Sequence, residues 1–322
     1  MKYKKLALYG FVLLILGLFS YLFGVLIAVP RRLFFPDSLS LFHFNEGIVW
    51  YSGLPVFLGI IFILIDLFIL FPEKRMHDHV IYNPVKSPAI TVVLTAYNDD
   101  KSIADSVKDF KLHPFVKRVI VISNNSTDNT FQEAEKAGAI VFNENIQGYG
   151  SCVHRALSEA IKFKDTELTV LCEGDMTFRS YDIDKFIAYI AHADVVNGSR
   201  IVEPLLNKNT QLNIFMFYGN LFVAKLLELK HLGNATFTDV GTTYKICRNS
   251  ALIKLMPKLN KSINLEFNPY FLDQALLSGF KIIECPITFH KRQGESKGAS
   301  NNSNAIRIGI RMIRGILIGW AI

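Results

Sequence analysis

Val170-Leu171-Cys172-Glu173-Gly174-Asp175-Met176-Thr177-Phe178 is the stretch on which the fold turns. An apolar strand runs straight into two carboxylates one residue apart. Side chains on a strand alternate between faces, so Glu173 and Asp175 point the same way and can converge on one ion. Hard oxygen ligands on a strand-end loop suit a divalent cation holding a substrate diphosphate. Acidic residues after strands are most often solvated loop charges, so the neighbouring loops must decide.

Working outward, apolar runs alternate with amphipathic stretches. Residues 90–95, 118–122, 139–142 and 168–172 read as buried strands. Residues 101–111, 127–137 and 148–164 read as helices, with Ser126 as the N-cap of the second. Short strands separated by such helices call for βαβ crossovers and a mostly parallel sheet. Sheets of this kind bind ligands beyond the carboxyl ends of their strands. Three polar loops fall there, at 96–100, 123–128 and 173–177, and their coincidence marks a site. Gly148-Tyr149-Gly150 opens a helix after a strand, but reads as a tight turn before a phosphate cradle and falls short of a dinucleotide fingerprint. There is no internal repeat.

Half of the 322 residues are hydrophobic, more than an ordinary soluble enzyme carries. Residues 6–29 hold no charge and are closed by Pro30, Arg31 and Arg32, and residues 48–71 hold only Asp66. A helix needs about 20 apolar residues to cross the hydrocarbon core, so both are expected to span a membrane. The first exceeds a signal-peptide core, and no small-residue cleavage site follows it. Lys2, Lys4 and Lys5 precede the pair while Lys74, Arg75 and Lys86 follow it, which places both chain ends in the cytoplasm. An interfacial position is the expected setting for Asp66. Four scattered cysteines without a CxxC pair argue against a zinc or disulfide framework. The net charge of +7 lacks the basic stripe interleaved with aromatics that nucleic acid binding requires, so no nucleic acid partner is expected.

Six blocks in order carry a family resemblance over roughly residues 90–300. They are Thr95-Ala96-Tyr97-Asn98-Asp99, then Ser123-Asn124-Asn125-Ser126-Thr127-Asp128-Asn129-Thr130, then Glu173-Gly174-Asp175. Asn197-Gly198-Ser199-Arg200 and Thr238-Asp239-Val240-Gly241-Thr242-Thr243-Tyr244 follow. The last is Glu284-Cys285-Pro286-Ile287-Thr288-Phe289 with Lys291-Arg292-Gln293-Gly294-Glu295-Ser296-Lys297. The chain resembles family 2 glycosyltransferases, and within them the polyprenyl-phosphate sugar transferases typified by dolichol-phosphate mannose synthase. The resemblance implies an α/β, GT-A fold: a Rossmann-like, mostly parallel sheet flanked by helices, here preceded by two transmembrane helices. The expected domains are a membrane region at 1–75, a cytoplasmic catalytic domain at 76–302 and an interfacial helix at 303–322.

The resemblance also implies roles. Thr95, Ala96, Tyr97, Asp99, Asn124, Ser126 and Gly174 would form the nucleotide-sugar site, with Asn124 facing the base. Asp175 would be the principal ligand of Mg²⁺ or Mn²⁺ with Glu173 beside it. Arg200, Arg292, Ser296 and Lys297 would hold phosphates of donor or acceptor, and Asp239 would orient acceptor or sugar. Asn124 stands where the family usually has aspartate, and Glu173 where it has the first aspartate of the metal motif. The implied reaction is inverting transfer of one sugar from a nucleotide-sugar donor to a polyprenyl (dolichyl or undecaprenyl) phosphate. The alternatives are another lipid-linked acceptor, or a catalytically silent nucleotide-sugar-binding membrane subunit. The only tryptophans, Trp50 and Trp320, do not form the Gln-x-x-Arg-Trp pattern of processive synthases.

In the tail, Ile306, Ile310, Ile313 and Leu317 recur at helical spacing beside Arg307, Arg311 and Arg314. That is a basic amphipathic helix suited to anionic membrane lipids, with packing against the core as the alternative.

Overall fold

The computed structural model describes residues 5–71, 81–86, 88–294 and 302–320. It divides into two units: residues 1–79 with 229–233, and residues 80–228 with 234–322.

The first unit is a helical hairpin. Helix α1 spans Leu6–Phe34; α2 (Leu39–Tyr51) and α3 (Gly53–Ile65) run on through a π turn at Asp66–Leu70. The two helical stretches, 29 and 32 residues long, are long and apolar enough to cross a membrane. They meet along Gly10, Gly17 and Gly24, whose seven-residue spacing keeps one stripe against the partner helix. A Cβ on Gly10 would lie 2.6 Å from the Gly59 carbonyl, and one on Gly17 2.5 Å from Val56 Cγ2. Asn45 Nδ2 closes the stripe by donating to the Gly24 carbonyl at 2.5 Å. Asp66 is buried, and its carboxylate accepts the Ala7 N–H at 2.7 Å. An anion at a helix N-terminus satisfies an orphan donor and opposes the positive dipole end. Helix α1 passes through Pro30, where the sequence suggests a stop, and Arg31 is buried with its guanidinium 5.0 Å from the Phe42 ring centre. We expect Gly17→Leu to destabilise the hairpin by about 1–3 kcal/mol through overpacking, measurable as earlier thermal unfolding in detergent.

In the second unit, β-branched and aliphatic runs form β1 (Ile90–Ala96), α4 (Ile103–Lys111), β2 (Val116–Ser123), α5 (Thr130–Lys136), β3 (Ile140–Asn143), α6 (Tyr149–Ala160) and β4 (Leu168–Glu173). The chain continues through α7 (Asp182–Ile190), β5 (Val195–Ser199), α8 (Ile214–Lys230), β6 (Lys245–Arg248), α9 (Asn249–Leu255), α10 (Phe267–Leu277), β7 (Ile282–Pro286) and α11 (Asn302–Leu317). The strands pair into one seven-stranded sheet of order β3-β2-β1-β4-β6-β5-β7. Only β6 runs antiparallel to its neighbours. Every residue of β1 is buried, and α6 packs on β1, β2 and β4. Ile103, Val107 and Phe110 of α4 enter the core with Val92, Leu94, Val170 and Cys172.

Register aligns the strand ends. Thr95 pairs with Glu173 and Ala96 with Ser123, so all three polar loops leave the same edge of the sheet. Helix α5 starts at Thr130 behind Asn129, later than the sequence suggests. Ser126 is not its cap. Its hydroxyl accepts the Asn98 N–H at 3.1 Å, while Asp128 Oδ1 takes the Thr130 N–H at 3.0 Å. Helix α8 was not anticipated by the alternating pattern.

Candidate active site

The three strand-end loops carry every non-glycine residue with positive φ among the described residues: Asn98 at 52°, Asn125 at 54° and Met176 at 65°. Asparagine tolerates this region, but for methionine it costs about 1–2 kcal/mol. Such strain concentrates where surrounding structure fixes a functional loop.

Side chains stitch the loops together. Asp99 N–H donates to Thr130 Oγ1 (2.7 Å), Asp100 N–H to Asp128 Oδ2 (3.2 Å) and Thr127 N–H to Asn98 Oδ1 (2.8 Å). Gly174 N–H reaches the Thr95 carbonyl at 3.0 Å, and a Cβ there would lie 2.5 Å from Ile103 Cδ1. A larger residue at 174 would have to displace the end of the Ile103 side chain. Asn124 donates to the carbonyls of Glu144 (3.2 Å) and Ile146 (2.8 Å) and accepts the Gly148 N–H (2.9 Å). A carboxylate has no hydrogens to give those carbonyls, which accounts physically for the amide at this position. Of the glycine pair at 148 and 150, Gly150 presses on the Ile263 carbonyl, so a Cβ would clash.

Asp175 is buried. Its Oδ1 accepts from Thr177 N–H (3.0 Å) and Thr177 Oγ1 (2.5 Å), and its Oδ2 faces Arg292 Nη1 at 3.0 Å. Burial and then the charge of Glu173 push its carboxyl up to about 6, against the opposing pull of Arg292. Arg292 Nη2 also donates to Asp99 Oδ1 at 2.9 Å. Burial raises the Asp99 carboxyl too, and Arg292 moderates the rise. Glu173 Oε1 accepts from Thr243 Oγ1 at 2.7 Å, and Tyr149 OH meets the same hydroxyl at 2.5 Å. Beneath them the buried Lys245 ammonium donates to the carbonyls of Thr242 (2.7 Å) and Thr243 (3.0 Å) and to Asn268 Oδ1 (3.2 Å). Desolvation brings Lys245 down to about 8. We expect Thr243→Val, which removes the hydroxyl shared by Glu173, Tyr149 and Asn268, to lower kcat/KM by on the order of tenfold with only a modest loss of Tm. Steady-state kinetics beside thermal unfolding checks this.

The part-buried Arg200 and the buried Asp239 form a fork: Nε to Oδ2 at 2.7 Å and Nη2 to Oδ1 at 2.9 Å. Asn220 Nδ2 (2.8 Å) and Gly241 N–H (3.0 Å) also donate to Asp239. Burial alone would raise Asp239, but Arg200 outweighs it and the carboxyl ends below its ordinary value. Glu284 supports the loop from behind by accepting the N–H groups of Thr238 (2.7 Å) and Asp239 (2.9 Å), and burial pushes it up to about 7.

One cavity of about 730 Å³ gathers these parts. Thr95, Ala96, Tyr97, Asp99, Asn124, Glu173, Asp175, Arg200 and Arg292 line it; Ser126, Gly174 and Asp239 are not among its lining residues. Ser296 and Lys297 lie outside the described residues. Much of the rest of the lining is apolar, contributed by Phe215, Met216, Phe222 and Val223 of α8 and by Ile306, Ile310 and Ile313 of α11. The signal in the sequence for α8 is its run Ile214-Phe215-Met216-Phe217-Tyr218, which holds three aromatics in five residues. On α11, Arg307, Arg311 and Arg314 are exposed. The helix end is anchored by Trp320, whose Nε1 donates to Asp273 Oδ2 at 2.5 Å and whose ring packs edge-on against Tyr270.

Comparison with known proteins places this arrangement. The glycosyl transferase family 2 model matches residues 91–256. A dolichyl-phosphate hexose transferase of Haloferax volcanii is 28% identical over 214 residues, 65% of this chain and 86% of that protein. Glycosyltransferase AglJ of the same organism is 26% identical over 223 residues, 69% of this chain and 68% of its own. Among solved structures, glucosyl-3-phosphoglycerate synthase from Mycobacterium tuberculosis, in complex with Mn²⁺, UDP and phosphoglyceric acid, superposes with a TM-score of 0.53. It is 17% identical and covers 71% of this chain and 78% of that one. The same enzyme has been crystallised with Mg²⁺ and UDP, with a TM-score of 0.50 at 16% identity over 71% of this chain and 79% of that one. The sheet is therefore that of the GT-A glycosyltransferases, and the chain belongs to glycosyl transferase family 2.

Proposed function

We propose that this glycosyltransferase is an integral membrane enzyme, its catalytic unit facing the cytoplasm. It moves one hexose from a nucleotide-sugar donor to a polyprenyl phosphate with inversion at the anomeric carbon. The observation that carries the reading is the two-sided cavity, acidic and basic at the strand ends and apolar along α8 and α11. A nucleoside diphosphate suits the first side and a prenyl chain the second. The relative named dolichyl-phosphate hexose transferase supports the acceptor class, and the UDP-bound neighbours support the donor class. The two apolar helices and the exposed arginines of α11 favour attachment to a membrane with anionic lipids.

The residues fit a divalent cation. Burial first, and then the negative charge of Glu173, raise the Asp175 carboxyl to about 6, a cost to the carboxylate that a dication on it offsets. Among the described residues no three His, Cys, Asp or Glu side chains cluster as a ready ligand set. Mg²⁺ is commonly held by one or two carboxylates plus substrate phosphates, so Asp175 with Glu173 suffices for Mg²⁺ or Mn²⁺. When bound, the cation supplies electrostatic stabilisation to the departing diphosphate.

The chain's own groups do the rest. Tyr97, Asp99 and Asn124 border the nucleoside, and Asn124 keeps one acceptor lone pair after its backbone bonds. Arg200, made rigid by Asp239, has three of its five N–H groups left for a phosphate. Asp239 thus acts by positioning Arg200. The acceptor phosphate is already ionised near neutral pH, so its oxygen forms the new bond to the anomeric carbon while the bond to the nucleoside diphosphate breaks. No strong general base is required.

A donor panel of UDP-, GDP- and dTDP-sugars with membranes carrying the chain tests this reading. Labelled sugar is expected in organic-extractable lipid with one donor class, and EDTA is expected to suppress it. Label confined to water-soluble product would exclude the lipid acceptor.

A further inference from the structure

Beyond β7 the chain turns back over the metal loop: His290 N–H donates to the Thr177 carbonyl at 2.9 Å and Gln293 N–H to the Asp175 carbonyl at 3.2 Å. Between those two anchors, Arg292 reaches inward. Its guanidinium spans two acids from different strand ends, Asp99 Oδ1 at 2.9 Å and Asp175 Oδ2 at 3.0 Å. We propose that Arg292 and the divalent cation exchange on this carboxylate pair, so that loading the cation turns the guanidinium off the acids and frees it for the donor's diphosphate. The inference deepens the function proposed above and rests on its metal site.

The charges around Asp175 argue for the exchange. Oδ1 has both lone pairs taken by Thr177 N–H and Oγ–H, which leaves Oδ2 for any cation. Arg292 Nη1 already lies against Oδ2. A dication on Oδ2, which is buried and receives no hydrogen bond among the described residues, would sit beside the part-buried guanidinium, where charge repulsion is less screened than in water. One cation must yield to the other. The planar fork also matches the vacated role, because arginine binds phosphate oxygens as readily as carboxylates. Arg292 is then a placeholder that keeps Asp99 and Asp175 paired and afterwards a phosphate ligand. By linkage, the factor by which Arg292 weakens the cation equals the factor by which the cation weakens the Arg292 pairing.

The test is an electron paramagnetic resonance titration of free Mn²⁺ against the full chain in nanodiscs. The samples are wild type, Arg292→Gln, Arg292→Lys and Asp175→Asn, each checked for native circular dichroism. Arg292→Gln is expected to bind Mn²⁺ alone about tenfold or more tightly than wild type. Arg292→Lys, which keeps the charge but cannot span both acids, is expected to fall between them. With Mn²⁺ saturating, Arg292→Gln is expected to bind inorganic pyrophosphate more weakly than wild type. Equal or weaker Mn²⁺ binding by Arg292→Gln, with Asp175→Asn still losing it, overturns the exchange and leaves the metal site standing. Mn²⁺ binding that Asp175→Asn does not diminish, or no saturable binding by any protein, overturns both.

Discussion

Asp175→Asn is expected to lower sugar transfer by on the order of 10²–10³-fold or more while the protein folds and binds its membrane as before. The amide oxygen still accepts from Thr177, so the loop keeps its geometry. What disappears is the charge that anchors the cation against the leaving diphosphate. The same substitution is expected to raise stability at neutral pH by about 1–3 kcal/mol. Asp175 is buried, and its carboxyl is raised from the ordinary 3.8 to about 6 by burial and by Glu173. A carboxyl with a raised folded pKa favours the native state when protonated. Its contribution is full below pH 3.8 and is lost as pH rises toward about 6. The stability gap between variant and wild type should therefore open across that window and stay open above it. Thermal unfolding at about pH 3.8, where the gap is small, and at pH 7, in the absence of metal, measures both ends.

The second large effect concerns the apolar wall. Ile313→Asp places a carboxylate in the apolar part of the cavity lining. A charge there is costly beside a prenyl chain and repels an anionic headgroup. We expect kcat/KM for the lipid acceptor to fall by about tenfold to a hundredfold, with nucleotide-sugar binding unchanged. Deleting residues 305–322 is expected to act in the same direction. Equal losses for donor and acceptor would show that α11 merely supports the fold.

Much of this was legible in the chain. The strands announce themselves through β-branched runs such as Ile90–Ala96, because a sheet buried on both faces selects for them. Three loops at their carboxyl ends then mark the site, and their residues do converge on one cavity. The unread part involves long-range partners. Arg292 meets Asp99 across 193 residues of sequence, a pairing that no local pattern encodes. Ser126 reads as a helix cap, yet the neighbouring loop claims its hydroxyl, and Asp128 serves the helix instead. Asn124 reads as a base-facing residue departing from the usual aspartate. Its amide in fact pins the loop at residues 144–148, which requires donors as well as an acceptor. Asp239 reads as a group that orients acceptor or sugar, or caps its loop; the pairing of its carboxylate with Arg200, 39 residues away, is not readable from the local sequence. Helix α8 was missed because apolar residues surround it on several sides, leaving little helical periodicity to detect. The glycines at 10, 17 and 24 were in plain view, but their spacing carries meaning only once a partner helix is known.

The central claim is that one cavity joins a nucleotide-sugar site to a lipid-phosphate site, so the most direct measurement is product stoichiometry. The purified chain is placed in nanodiscs with nucleotide-sugar and Mg²⁺, with and without polyprenyl phosphate, and nucleoside diphosphate and lipid-linked sugar are counted together. One nucleoside diphosphate is expected to be released per sugar joined to lipid, with negligible release without the lipid phosphate. Comparable release in its absence, or sugar recovered only in water-soluble form, would contradict it.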